Sequence, residues 1–173
     1  MGSHPYFYFT EYQSDVNSAL QSLRQKEFKA GRYNPAMSSH NPEMWMFHFN
    51  FPPTVQSIAP GATHDSIEAA LRDSQDVGTG SILDIQKISE SPEFLSANAL
   101  SEDEILALFG VYQPTRQMIE DIIAEEDLDH WEEAGYDVFD SFWETIDRGK
   151  SRYIIVYEHD HPSEIFFIGY SIG

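Results

Sequence analysis

The sequence contains no cysteine. That absence excludes a disulfide framework, a thiolate zinc site and a cysteine nucleophile, whichever compartment the chain occupies. Basic residues are scarce as well: 10 Lys and Arg stand against 29 Asp and Glu, a net charge of −19. Such a field repels nucleic acid and anionic membrane and attracts basic partners or cations. No nucleic acid and no membrane partner is therefore expected. Long apolar runs are missing too, since no window approaches the roughly 18 residues of a membrane span, and the N-terminus lacks the regions of a signal peptide. A soluble cytoplasmic protein is the expectation. Gly78-Thr79-Gly80 has no third glycine and leads into a strand-like run, whereas a phosphate-cradling loop must open a helix.

The strongest positive signal lies near the end of the chain. Arg152 to Glu158 and Ser163 to Tyr170 are rich in β-branched and aromatic residues and flank the polar segment His159-Asp160-His161-Pro162, the pattern of a β-hairpin. Neither run alternates. Ile154, Ile155 and Val156 are consecutive, as are Ile165 to Ile168, which predicts strands covered on both faces.

Tyr6 to Thr10 reads as a first strand. Val16, Ala19, Leu20 and Leu23 then recur at helical spacing after a cap at Ser14 or Asp15, with Gly31 as the C-terminal stop, so a helix is expected over about 15–30. Its second half and the following turn hold Arg24, Lys26, Lys29 and Arg32, where cations suit the helix dipole. Residues 31–44 read as a long loop. Trp45 to Phe51 alternates strictly and predicts a strand ended by Pro52-Pro53, and a second loop covers 52–63. A short helix is expected from an Asp65 cap with Glu68, a strand over Ser81–Ile88, and a loop from Ser89 to Asn98. Ser101 and Glu104 form a capping box, Gly110 ends that helix, and Pro114 suits the start of the next.

From Gln117 to Asp147 there are twelve Asp and Glu and no Lys or Arg. Trp131, Tyr136, Phe139, Phe142 and Trp143 are interleaved with them, too many aromatics for a disordered acidic tail. One or two helices with aromatics inward and carboxylates outward are expected. The whole reads as one α+β domain over 5–173: an antiparallel or mixed aromatic-rich sheet of four or five strands, ending in the hairpin, with about four helices.

Candidate chemistry is sparse. His159 and His161 share a face of an extended chain, yet a hairpin tip supplies no third ligand, so a polar turn is the preferred reading. The run from Asp127 to Glu133 lacks the spacing of a calcium loop and reads as a solvated helix face. No nucleophile signature occurs, and no cofactor or metal is expected. Two functions remain open. The first is a non-enzymatic interaction module of inhibitor, immunity-protein, antitoxin or nucleic-acid-mimic type. It would engage a basic protein through Glu125, Glu126, Asp127, Asp129, Trp131, Glu132 and Glu133. The alternative is a small-molecule binder or small hydrolase-type enzyme with a pocket under the 31–44 and 52–63 loops, drawing on Arg32, Tyr33, His40, His48 and His64. Oligomeric state is not legible.

Overall fold

The computed structural model describes residues 4–40, 50–126 and 138–173. In chain order the elements are β1 (Pro5–Glu11), α1 (Val16–Ala30), α2 (Ala36–His40), α3 (Ile67–Asp73), a 3-10 turn at Ile82–Asp84, β2 (Lys87–Ile88), β3 (Ser96–Ala99), α4 (Glu102–Phe109), α5 (Arg116–Glu126), α6 (Val138–Glu144), β4 (Lys150–Glu158) and β5 (His161–Tyr170). The sheet order is β1-β5-β4-β3-β2. β1 and β4 both pair antiparallel with β5, whereas β4, β3 and β2 run parallel, so the sheet is mixed. The hairpin supplies two of the three inner strands, turning at His159-Asp160 with φ of 50° and 64°. Two consecutive left-handed residues match the tight turn whose twist suits flanking strands.

Helices cover both faces of this sheet, which explains why the hairpin strands lack alternation. Tyr6, Tyr8, Ile165 and Phe167 join Leu20, Leu23 and Phe28 of α1 and Ile67 of α3 in one buried cluster. On the opposite face Ile154, Val156, Phe166 and Ile168 join Ile119 of α5 and Phe139, Phe142 and Trp143 of α6. Successive strand residues therefore feed different cores.

α1 forms where its apolar spacing places it. Gly31 follows at φ 74°, and the N–H groups of Gly31 and Arg32 bond the Phe28 and Glu27 carbonyls, a Schellman ending that closes two orphan acceptors. A Cβ at Gly31 would collide with the Gly61 backbone, whose N–H bonds Ala30 O at 2.9 Å. The Ser101–Glu104 capping box and the Gly110 stop of α4 also form as expected.

Several expectations are corrected. The strand at Ser81–Ile88 is reduced to Lys87–Ile88, because the Ser81 hydroxyl accepts from Leu83 N and the Asp84 carboxylate accepts from Thr79, fixing a 3-10 turn instead. The loop at Ser89–Asn98 hides β3, whose Ser-Ala-Asn-Ala sequence has no strand propensity. It is made a strand by its position between β2 and β4. Ser66 rather than Asp65 caps α3, accepting from Ala69 N. Asp15 occupies the cap position of α1 but accepts from the Ser18 hydroxyl, not from the helix backbone. α5 starts at Arg116, past Pro114, with the Thr115 hydroxyl accepting from Met118 N. Of the strand expected over Trp45–Phe51, residues 45–49 lie outside the described residues, and Asn50 and Phe51 are not in a strand. Phe51 packs instead on the rings of Tyr6 and Tyr8.

A buried polar seam runs beneath α1. Asp84 takes two hydrogen bonds from Thr79 on one oxygen, while the other faces the Ile172 N–H without a bond of good geometry. Burial raises its carboxyl above the usual range. The Tyr6 hydroxyl is fully buried beside Ser151, whose own hydroxyl is directed at Ile168 O, so the Tyr6 oxygen lacks a well-formed hydrogen bond. Burial, with the Asp84 charge adding to it, pushes this phenol well above its ordinary value. Because an unsatisfied buried hydroxyl costs about 1–3 kcal/mol, Tyr6→Phe is expected to raise unfolding stability by about 1 kcal/mol in a urea titration. A loss of similar size would show that the hydroxyl is bonded in solution.

Candidate functional site

Two places gather chemistry-bearing side chains. The first joins the end of α1 to the loop before α3. Tyr33 is fully buried, stacked on Phe28 with ring centroids 5.6 Å apart. Its hydroxyl accepts from Thr63 N at 3.1 Å and lies 2.9 Å from His64 Nδ1, and His64 Nε2 lies 2.9 Å from Asp73 Oδ2 at the end of α3. The Asp73 carboxylate can only accept, so in the neutral ring Nδ1 is left to accept from the Tyr33 hydroxyl. That places the histidine proton on Nε2, facing the carboxylate. The Thr63 hydroxyl is a weaker competitor for Nδ1 at 3.3 Å.

Next to this chain Arg32 folds back on Glu27, with Nε 2.6 Å and an NH2 nitrogen 2.8 Å from the two carboxylate oxygens. Glu27 is 2% exposed and Arg32 14%, a bidentate pair almost out of water. The Glu27 hydrogen bond raises the Arg32 guanidinium further, and burial together with the Glu27 charge raises the Tyr8 phenol. Of the residues named for the pocket, Tyr33 and His64 lie together. Arg32 is engaged in an internal pair, and His40 is left exposed at the end of α2. His48 lies outside the described residues. Glu27, Thr63 and Asp73 were not legible as members of the group, because nothing local ties residues 9 or 31 positions apart.

The second place is the side of the sheet covered by α4, α5 and α6. Three of its cations are spent on ion pairs within the fold. Arg116 pairs with Glu120 and Glu164 and lies 4.2 Å over the Phe9 ring, Arg152 grips Glu104, and Lys150 meets Asp147. Burial opposes ionisation of Glu104, yet the bonds from Arg152 and Ser101 hold its carboxyl below the usual range. Among the described residues, Glu102, Asp103, Asp121, Asp140 and Glu144 are exposed without a cation partner. The aromatics of α6 point the other way: Phe139, Phe142 and Trp143 are all buried. Exposed Lys26, Lys29 and Arg72 belong to α1 and α3, across the sheet.

Glu125 and Glu126 are the last two residues of α5, while Asp127, Asp129, Trp131, Glu132 and Glu133 lie outside the described residues. Beneath these helices a small cavity, lined only by apolar side chains such as Leu100, Phe109, Ile122, Phe142 and Phe166, has room for about one water-sized sphere. It is a packing gap, too small for a ligand. No group of three or more His, Asp and Glu suited to a metal ion occurs among the described residues. No helix among them is long and apolar enough to cross a membrane. Compared with protein-family models, with curated proteins and with solved structures, the chain finds no match in any of the three.

Proposed function

We propose that this protein is a non-enzymatic interaction module that engages a basic protein through the carboxylate-rich side formed by α4, α5 and α6. One observation carries the reading: Arg116, Lys150 and Arg152 on that side are held in ion pairs within the fold, whereas exposed Glu102, Asp103, Asp121, Asp140 and Glu144 are left to face a partner. Opposite potentials then steer encounter and set orientation. An inhibitor, an immunity protein, an antitoxin or a nucleic-acid mimic would each use this physics.

The test compares two triple variants of equal charge against a Lys-rich peptide. Three screened surface contacts at about 0.5 kcal/mol each sum to roughly tenfold in affinity. Asp121→Asn, Asp140→Asn and Glu144→Gln together are expected to weaken binding by about that factor at low salt, with the difference fading as salt rises. Asp65→Asn, Asp76→Asn and Glu90→Gln together are expected to leave it nearly unchanged. Equal losses in the two variants would reduce the attraction to net charge and remove the proposed face.

A second reading, a small hydrolase-type enzyme or small-molecule binder under the 31–44 and 52–63 loops, draws on the order Thr63, His64, Asp73, which mimics nucleophile, base and orienting acid. It ranks second because the buried Tyr33 hydroxyl holds Nδ1 more closely than Thr63 does. Tyr33, His64 and Asp73 are each hydrogen-bonded within the fold, as a clip that ties the loop to α1 and α3.

A further inference from the structure

The α4–α5 corner is apolar where a surface is expected to be polar. α4 carries Ile105, Leu106, Leu108 and Phe109 in eight residues, yet none of its residues is buried. Leu106 is 40% exposed, Val111 37% and Tyr112 59%. They lie on either side of the helix ending. Gly110, at φ 72°, bonds Leu106 O through its N–H, and this ending sets the residue after the glycine against the one that accepts its bond. Val111 and Tyr112 follow directly on the helix end that carries Leu106, and all three side chains are open to solvent. Glu102 and Asp103 precede Leu106 by one helical turn and are exposed.

We infer that Leu106, Val111 and Tyr112 are the anchoring contacts of a docking site for a basic amphipathic helix, in which an apolar stripe meets these three side chains and flanking Lys or Arg meet Glu102 and Asp103. The inference rests on the interaction-module reading and names the partner's chemistry. Charge selects the occupant. A second copy of a chain at −19 would bring like charges together, and nucleic acid or anionic lipid would be repelled in the same way. A Lys-rich helix with one apolar face satisfies both the carboxylates and the exposed side chains. A solvent-accessible Tyr beside an apolar Val111 is the kind of residue on which binding energy concentrates.

The test uses two designed helical peptides, one with a Leu stripe on a Lys-rich background and one with Ala in place of each Leu. The Leu peptide is expected to bind the intact protein about tenfold more tightly than the Ala peptide. Leu106→Gln with Tyr112→Ser is expected to abolish that difference while leaving affinity for the Ala peptide unchanged, which also shows that the variant is folded. Val55→Ser with Phe94→Ser, exposed apolar residues elsewhere, is expected to preserve the difference. Equal binding of the two peptides, or a difference that survives Leu106→Gln and Tyr112→Ser, overturns the site. So does concentration-dependent self-association that the same variant removes, because the occupant is then a second copy. Failure of the charge variants at 121, 140 and 144 with both peptides would instead sink the interaction-module reading itself.

Discussion

Arg32→Ala is expected to lower unfolding stability by about 3–5 kcal/mol, the cost of stranding one member of a buried ion pair. Glu27 keeps only 2% of its side-chain surface in water. Its two oxygens are held by the Arg32 fork, and its carbonyl by the Arg32 N–H. Removing the guanidinium leaves a carboxylate against the Tyr8 phenol in a site closed to solvent. The damage is local to the end of α1, where the Schellman turn begins the path to Tyr33. Replacing both partners, Glu27→Met with Arg32→Met, is expected to recover most of the loss, because two apolar chains of similar length need no solvation. Urea unfolding of the two variants checks this. A single substitution costing under about 1 kcal/mol would show that the pair is solvated.

Phe167→Ala is expected to cost about 3–5 kcal/mol, in the range of a fully buried aromatic truncated in a packed core. Phe167 has no exposed surface, lies opposite Tyr8 on β1 and Tyr153 on β4, and its ring is 5.9 Å from that of Tyr153. Truncation opens a void that two tyrosine rings flanking a strand in the middle of the sheet cannot fill without moving the strands. Ile155, by contrast, is only half-buried, and its replacement by Ala is expected near 2 kcal/mol, the lower end for such changes. Thermal or urea denaturation that ranks Ile155 above Phe167 would contradict the placement of the first core.

How much of this was readable in advance depends on whether a residue's fate is set locally. Ile154-Ile155-Val156 and Ile165 to Ile168 announce a doubly covered hairpin because no one-sided strand tolerates such runs. α1 announces itself by spacing and by Gly31. β3 does not, because Ser96-Ala97-Asn98-Ala99 is a strand only by virtue of neighbours on both sides. The turn at Ile82–Asp84 reads as strand because apolar residues dominate the run, whereas the Ser81 and Thr79 hydrogen bonds that decide the outcome leave no mark in that pattern. In the candidate sites the charge asymmetry is a property of composition and was visible. The choice among individual carboxylates was not, since it turns on which of them find Arg116, Lys150 or Arg152 in space. Tyr33 and His64 stand out in the sequence by their place in long loops, whereas Asp73 and Glu27 join them only through geometry.

The most direct test of the central claim is a residue-by-residue map of amide chemical shifts as the Leu/Lys helix is added to the intact protein. The proposed function and docking site predict perturbations concentrated at residues 102–126 and 138–147, growing as salt is lowered, with α1 and the Tyr33–His64–Asp73 clip unmoved. Perturbations centred on Arg32, Tyr33 and Thr63, or spread evenly over the surface, would contradict the account and return the weight to a pocket beneath the loops.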